Sequence, residues 1–250
     1  MIITDKQSQE HSDRLKNQFR EFDSFIESID TLADFGCGQQ GHDVDWWSSL
    51  TTRDEEPSPL NIRVTGVDIH DHCAAAHEHK NARYLKHDIE KPFDSSWKFD
   101  LVWCHNTLQY LENPYRALCN WRDTVDDGGA LILSVPQNIR LFGRTRLYDQ
   151  TSHCIHNFTV VQLIHILSLA GWESRGGYYT LDMEEGWITA LVYNTNEPVR
   201  HPRNTSWYDL AETGLLPHSL ELGIEKYGYA REQDLMLEWI DRSKAQVKKL

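Results

Sequence analysis

Short apolar runs alternate along the chain with stretches whose apolar residues recur every three or four positions. The first such stretch, residues 8–29, carries Leu15, Phe19, Phe22, Phe25, Ile26 and Ile29 at the spacing of an amphipathic helix. Runs of strand length follow: TLADF (31–35), IRVTGVDI (62–69), ARYLKHD (82–88), FDLVWCH (99–105) and ALILSVP (130–136). Helical patterning separates or follows them at 42–51, 71–79, 113–124 and 158–170. Strand and helix in alternation predict a mostly parallel sheet covered on both faces. Two later segments, 171–183 and 186–194, meet at Glu184-Glu185 and read as a hairpin, so an antiparallel strand closes the sheet. Beyond Asn194 the chain turns polar and proline-dotted, then resumes helical patterning from Trp207 to Val247. The expected organisation is an N-terminal helix packed on the core (1–29), an α/β domain (30–195) and a helical C-terminal extension (196–250).

Composition narrows what such a domain does. An apolar fraction of 40% suffices for one sizeable core. A formal charge of -13 makes the surface repel polyanions, so nucleic acid is an unfavoured partner. The only basic groupings, Arg140, Arg144 and Arg146 and the terminal Lys244, Lys248 and Lys249, are modest. Five cysteines, at positions 37, 73, 104, 119 and 154, are odd in number and form no Cys-x-x-Cys pair, which fits a reducing compartment. The N-terminus has no apolar leader segment, and nowhere do eighteen apolar residues run together. A soluble cytoplasmic protein without membrane insertion is expected.

The chemistry sits where the first strand ends, in LADFGCGQQGHD. Gly36 and Gly38 allow a sharp turn and a close backbone approach to a ligand, and a helix starting near Gly41 aims its free N–H groups at that ligand. Gly36, Gly38 and Gly41 formally match the dinucleotide pattern, so the glycines alone leave the cofactor open. Asp34, two residues earlier, discriminates: a carboxylate there repels a pyrophosphate and welcomes an amino group or a sulfonium. That favours S-adenosylmethionine. The second strand ends in Asp68, placed to accept from ribose hydroxyls, and the third in Asp88-Ile89, an acceptor for an adenine amino group beside an apolar face.

On these residues the chain resembles the class I S-adenosylmethionine-dependent methyltransferases, in particular the small-molecule group with a "type 11" domain. DFGCGQQG is similar to that family's first motif, GVDI to the second, KHDIEKPF to the third and FDLVWCHNTLQYLENP to the fourth. WRDTVDDGGALILSVP resembles the glycine-paired stretch before the fifth strand, and the likeness covers residues 30–195. The resemblance implies a Rossmann-like fold with a seven-stranded sheet of order 3-2-1-4-5-7-6. It implies that Asp34, Gly36, Cys37 and Gly38 surround the methionine end of the cofactor, flanked by Cys104 and His105. Asp68 would take the ribose, with Ile69, Asp88 and Ile89 around the adenine. Where many relatives have Glu-His after the fourth strand, this chain has Gln109-Tyr110, which leaves a catalytic role there without support.

Methyl transfer from a sulfonium needs alignment more than acid–base help, and a hydroxyl acceptor gains from a nearby base. His105 is the first candidate, followed by His153 and His156, with Tyr148, in the segment after the fifth strand. A strand-end histidine and two loop histidines also serve purely as packing or capping groups. The expected acceptor is a small molecule, a sugar or a lipid-linked group, methylated on oxygen ahead of nitrogen. The alternatives are a non-catalytic S-adenosylmethionine-binding module and, less favoured, an RNA- or DNA-modifying enzyme. The apolar face of the C-terminal extension suits a cap on the site or a homodimer contact. The stretch IHDHCAAAHEHK (69–80) holds zinc-type ligands, with Cys73 and His77 one helical turn apart, but no recognised ligand spacing. A solvated helix without a metal is the expectation.

Overall fold

A computed structural model of the chain describes residues 5–19, 23–51, 58–136, 154–158, 160–182 and 187–195. In chain order its elements are α1 (Asp5–Phe19), α2 (Asp23–Glu27), β1 (Thr31–Phe35), α3 (His42–Ser48), β2 (Arg63–Asp68), α4 (Ala75–Glu78) and β3 (Ala82–Lys86). There follow β4 (Phe99–His105), a 3-10 turn (Leu108–Tyr110), α5 (Pro114–Thr124), β5 (Val125–Pro136), α6 (Val160–Leu169), β6 (Glu173–Asp182) and β7 (Trp187–Tyr193).

The seven strands form one sheet in the order β3-β2-β1-β4-β5-β7-β6. Pairings from β3 through β5 are parallel, while β7 runs antiparallel to both β5 and β6. The expected order and its closing antiparallel strand are both present. Side chains alternate across the pleat and so divide the core into two layers. On one face Ala33, Phe35, Val102, Leu131 and Leu133 pack with Leu118 and Trp121 of α5 and Leu163 and Leu167 of α6. On the other, Leu32, Val64, Leu101 and Ile132 pack with Leu15 and Phe19 of α1, Ile26 of α2 and Val44 and Trp47 of α3. The helix read over 8–29 is thus two helices, α1 and α2, and both contribute to the second layer.

Local chemistry accounts for the helix ends. Asn113 caps α5, its side chain accepting from the Arg116 N–H at 3.0 Å, and Pro114 supplies a first residue that needs no N–H partner. The helix read over 71–79 shrinks to the four residues of α4. The backbone N–H groups of Ala74 and Ala75 donate instead to the carbonyls of Gln39 and Gln40, at 2.8 and 3.2 Å. An amide spent on the glycine loop cannot bond back to the carbonyl four residues earlier, so the helix starts at these amides and not before them. Strand β5 begins five residues earlier than the run at 130–136, and its register with β4 jumps between the Phe99 and Leu101 pairs. Asp126 to Gly129 is absorbed at that jump and held by Asn194, which accepts from Gly128 N–H at 2.6 Å and donates to the Gly129 carbonyl at 2.8 Å. The C-terminal extension expected over 196–250 lies outside the described residues. Among the described residues no helix is long and apolar enough to cross a membrane.

Candidate active site

Strand order reverses between β1 and β4, since the chain continues from β1 to β2 on one side and from β3 to β4 on the other. In an open α/β sheet, the crevice beyond the carboxyl ends of those two strands is where ligands bind. The glycine loop leaves β1 at that point. Gly36, Gly38 and Gly41 all have left-handed backbone, with φ of 80°, 67° and 68°. A side chain at Gly36 would put its Cβ 2.2 Å from Thr107 Oγ1, so this glycine lets the β1 loop press against the loop after β4. Gly36 and Cys37 donate their N–H groups to the Val67 carbonyl at 2.8 and 3.4 Å, which ties the loop to the end of β2.

Asp34 lies in the β1 register opposite Trp103 of β4 and is almost wholly buried. Among the described residues its Oδ2 has no hydrogen-bond partner. Burial, then the neighbouring Asp43, Cys73 and Asp68, push its carboxyl well above the usual range, although Lys16 pulls the other way. A buried carboxyl in this state has an unmet demand for a cation or donor. Asp68 is held from two sides: its Oδ2 accepts from Gly38 N–H at 2.9 Å, and its Oδ1 from His70 N–H at 3.2 Å, with the His70 ring nitrogen Nδ1 2.5 Å away. Two carboxylate oxygens offer about four lone-pair sites, so capacity for hydroxyl donors remains.

The other expected site residues scatter in their surroundings. Ile69 is exposed beside Asp68, whereas Ile89 is buried in the sheet's α5 layer, where its carbonyl accepts from Trp121 Nε1 at 2.9 Å. Asp88 Oδ1 accepts from Glu90 N–H at 3.0 Å. The Cys37 side chain turns inward, its Sγ beside Gly66 and in contact with Cys73, so the residue offers its backbone to the crevice. Cys104 is buried in the same layer as Leu108, away from α1, and burial followed by Asp34 raises its thiol far above the ordinary value. His105 is the last residue of β4 and is half-buried there. His156 does not join it: its backbone N–H donates to the Gln109 carbonyl at 3.0 Å and its ring lies beside Phe158 and the Glu112 carbonyl. His153 and Tyr148 lie outside the described residues. Gln109 is fully buried and donates to Asn106 Oδ1 at 2.7 Å, a tether for the segment at 155–156.

Sequence reading missed what α1 brings to this crevice. His11, Ser12 and Lys16 share the helix stripe of Leu15 and Phe19, at one-turn spacings, and all three are buried. Lys16 Nζ lies 2.6 Å from Asp43 Oδ1, which also accepts from Ser12 Oγ at 2.7 Å, while Asp43 Oδ2 accepts from Trp103 Nε1 at 2.9 Å. The Nδ1 of His11 lies 2.9 Å from the Nε2 of His105, and both rings stack on Trp187, the first residue of β7. The signal for this cluster was a polar trio on an otherwise apolar helix stripe. Of the histidine-rich stretch, Cys73 is buried against Gly41 and His79 Nε2 lies 2.7 Å from Asp45 Oδ1. Among the described residues one group, Asp45, Glu78 and His79, sets ligand-type atoms within 4.8 Å of each other on the surface.

Residues 33–133 match the family model described as a methyltransferase domain. A curated relative, the ubiquinone biosynthesis O-methyltransferase of Coxiella burnetii (strain Dugway 5J108-111), is 26% identical over 143 residues, covering 52% of this chain and 58% of that protein. The match therefore spans little more than half the length of that relative. Among solved structures, a putative methyltransferase from Bacillus halodurans superposes with a TM-score of 0.55 at 11% identity, covering 72% of this chain and 98% of that one. A cyclase, SpnF, superposes with a TM-score of 0.52 at 16% identity, covering 66% of this chain and 75% of that one. These structural likenesses establish the fold and leave the reaction to the site.

Proposed function

We propose, from the premise that the chain belongs to the class I S-adenosylmethionine-dependent methyltransferases through its domain at residues 33–133, that it methylates an oxygen of a small-molecule acceptor. The observation that carries this reading is Asp34, a buried carboxyl with one oxygen unpartnered among the described residues, at the switch point of the sheet and beside Gly36, where no side chain fits. Such a group suits the ammonium of an amino-acid moiety and is poorly matched to a pyrophosphate.

The residues present fit the cofactor. Asp34 would hold the ammonium, the backbone of Gly36, Cys37 and Gly38 would line the methionine end, and Asp68 would accept from the ribose hydroxyls. Asp88 would meet the adenine amino group, with the exposed face of Ile69 beside the ring. S-adenosylmethionine supplies a methyl group already activated for in-line displacement. The protein's part is then to align the acceptor and exclude water. On this reading α1, whose Lys16 acts on Asp34, would cover the methionine end of the crevice, and His105 and Trp187, stacked on each other, would border the side left for the acceptor. Oxygen as the acceptor atom draws support from the named O-methyltransferase relative, and the charge of -13 argues against a polyanionic substrate.

Calorimetric titration with S-adenosylmethionine and its demethylated product tests the cofactor site, with micromolar binding expected and no binding counting against it. Incubation with a metabolite extract, followed by mass spectrometry, tests the reaction. A product heavier by one methyl supports it, whereas binding without product favours a cofactor-binding module.

A further inference from the structure

His11, His105 and Trp187 come from the first helix, the fourth strand and the last strand, yet they form one arrangement at the switch-point crevice. The two imidazoles are tilted by only 17° with centroids 5.2 Å apart, and the N···N distance of 2.9 Å joins them edge to edge. Both lie over the same indole, with centroids at 4.3 and 5.0 Å and tilts of 11° and 22°. The shared surface holds the rings in register. Among the described residues no hydrogen bond reaches the outer nitrogens, His11 Nε2 and His105 Nδ1.

Protonation state follows from the surroundings. Burial, then His105 and Arg14, lower His11 to about 2 against the pull of Asp43. Burial lowers His105 to about 4; Asp43 and Asp13 oppose this and Lys16 reinforces it. The charged neighbours are therefore Asp13, Arg14 and Lys16 of α1 and Asp43 of α3, and both rings are neutral at physiological pH. An N–H···N bond from the Nδ1 of one neutral imidazole to the Nε2 of the other requires the same tautomer in both rings. If His105 Nε2 donates, then His105 Nδ1 carries a lone pair and His11 Nε2 a proton; if His11 Nδ1 donates, these roles exchange. In either state the pair presents one acceptor end and one donor end.

A single histidine in this setting is a poor store for a proton, because its imidazolium is penalised by burial. Two linked rings avoid the penalty by passing the proton on. We propose that His11 and His105 act as a neutral two-imidazole relay that takes the proton of the acceptor hydroxyl as the methyl group arrives. This rests on the O-methyl transfer reading above. The acceptor's O–H bond breaks and its electron pair forms the O–CH3 bond, while the C–S bond breaks and its pair returns to sulfur. The released proton binds the outer lone pair of one ring, the bridging proton crosses to the other ring, and that ring gives its outer proton to water. Neither ring is left charged. His105 or His11, whichever meets the hydroxyl, is the catalytic residue; its partner and Trp187 are positioning residues.

The test compares the wild-type chain with His11→Phe, which keeps a ring on Trp187, and with His11→Ala and His105→Asn. Calorimetry with S-adenosylmethionine is run beside the rate of methylated product formed from the metabolite extract at saturating S-adenosylmethionine. The relay predicts a wild-type rate flat from about pH 6 to 8, since neither ring titrates there. In the variants the rate falls roughly 100-fold or more, the size of a general-base contribution, and climbs with pH. Imidazole added to His11→Ala restores part of the loss. If His11→Ala fails to fold, His11→Phe carries the comparison. Product rates within threefold of wild type in folded variants, or a wild-type protein that binds the cofactor and forms no product, overturn the relay and leave the cofactor site standing. A wild-type protein that does not bind S-adenosylmethionine removes the functional reading, and the relay with it.

Discussion

The ammonium of Lys16 lies 2.6 Å from the carboxylate of Asp43, and only 3% of the Lys16 side chain and 12% of the Asp43 side chain reach solvent. Burial alone would raise Asp43, but Lys16, followed by His105 and by hydrogen bonds from Lys16 and Ser12, carries it below the usual carboxylate value. Breaking such a pair leaves a buried charge without compensation. Lys16→Met should therefore lower stability by about 3–5 kcal/mol, measured by denaturant unfolding, and adding Asp43→Asn should recover part of the loss. A depressed folded-state value means the Asp43 contribution is complete above the unfolded value near 4 and fades as pH falls toward the folded one. Acid unfolding of Lys16→Met should thus be shallower in that range than that of the wild type.

Asp34 has the opposite sign. Its folded value is raised, so the ligand-free protein loses stability as pH climbs from the unfolded value near 4 through the folded one. Asp34→Asn removes that penalty and should raise the melting temperature at pH 7.5, while weakening S-adenosylmethionine binding at least tenfold, about 1.4 kcal/mol, by calorimetry. A variant that loses stability and keeps full affinity would remove Asp34 from the cofactor site.

Two glycines of the same loop should respond differently. Gly36→Ala and Gly38→Ala both place a side chain at positive φ, but only at position 36 does the new Cβ collide, with Thr107 Oγ1 at 2.2 Å; nothing lies within 4 Å of one at position 38. The shared backbone strain costs about 1–2 kcal/mol. Gly36→Ala should add an overpacking cost of about 1–3 kcal/mol. Thermal unfolding of both variants checks the difference, and equal losses would mean that Thr107 gives way freely.

Most of the sheet was legible because its signals are local. TLADF and FDLVWCH are short apolar runs ended by a glycine turn and a polar strand end, and the observed β1 and β4 have those bounds. The helix read over 113–124 matches α5, whose start is set by capping chemistry confined to residues 113–116. Failures began where distant groups competed. The helix read from 71 begins only at Ala75, because the amides of Ala74 and Ala75 are claimed by the carbonyls of Gln39 and Gln40, thirty-five residues earlier. The run read at 130–136 leaves out Asp126 to Gly129, yet Asn194 holds them within β5. In the site, the glycine loop, Asp34 and Asp68 announce themselves by spacing. The pairing of His11 with His105 spans 94 positions and has no local periodicity, so only the folded sheet brings it to view.

Because β7 runs against its neighbours, its first residue, not its last, stands at the end of the sheet where β1 and β4 finish. Trp187 pairs in register with Pro136, and a slip of one residue would turn the indole to the opposite face and put Ile188 beneath the histidines. The terminal hairpin therefore works as an adjustment independent of the glycine loop. Changes in its register or in the residue at position 187 can reshape the surface under His11 and His105 while the β1 and β2 ends, where Asp34 and Asp68 sit, stay untouched. A fold wired in this way can alter one side of its crevice without disturbing the other.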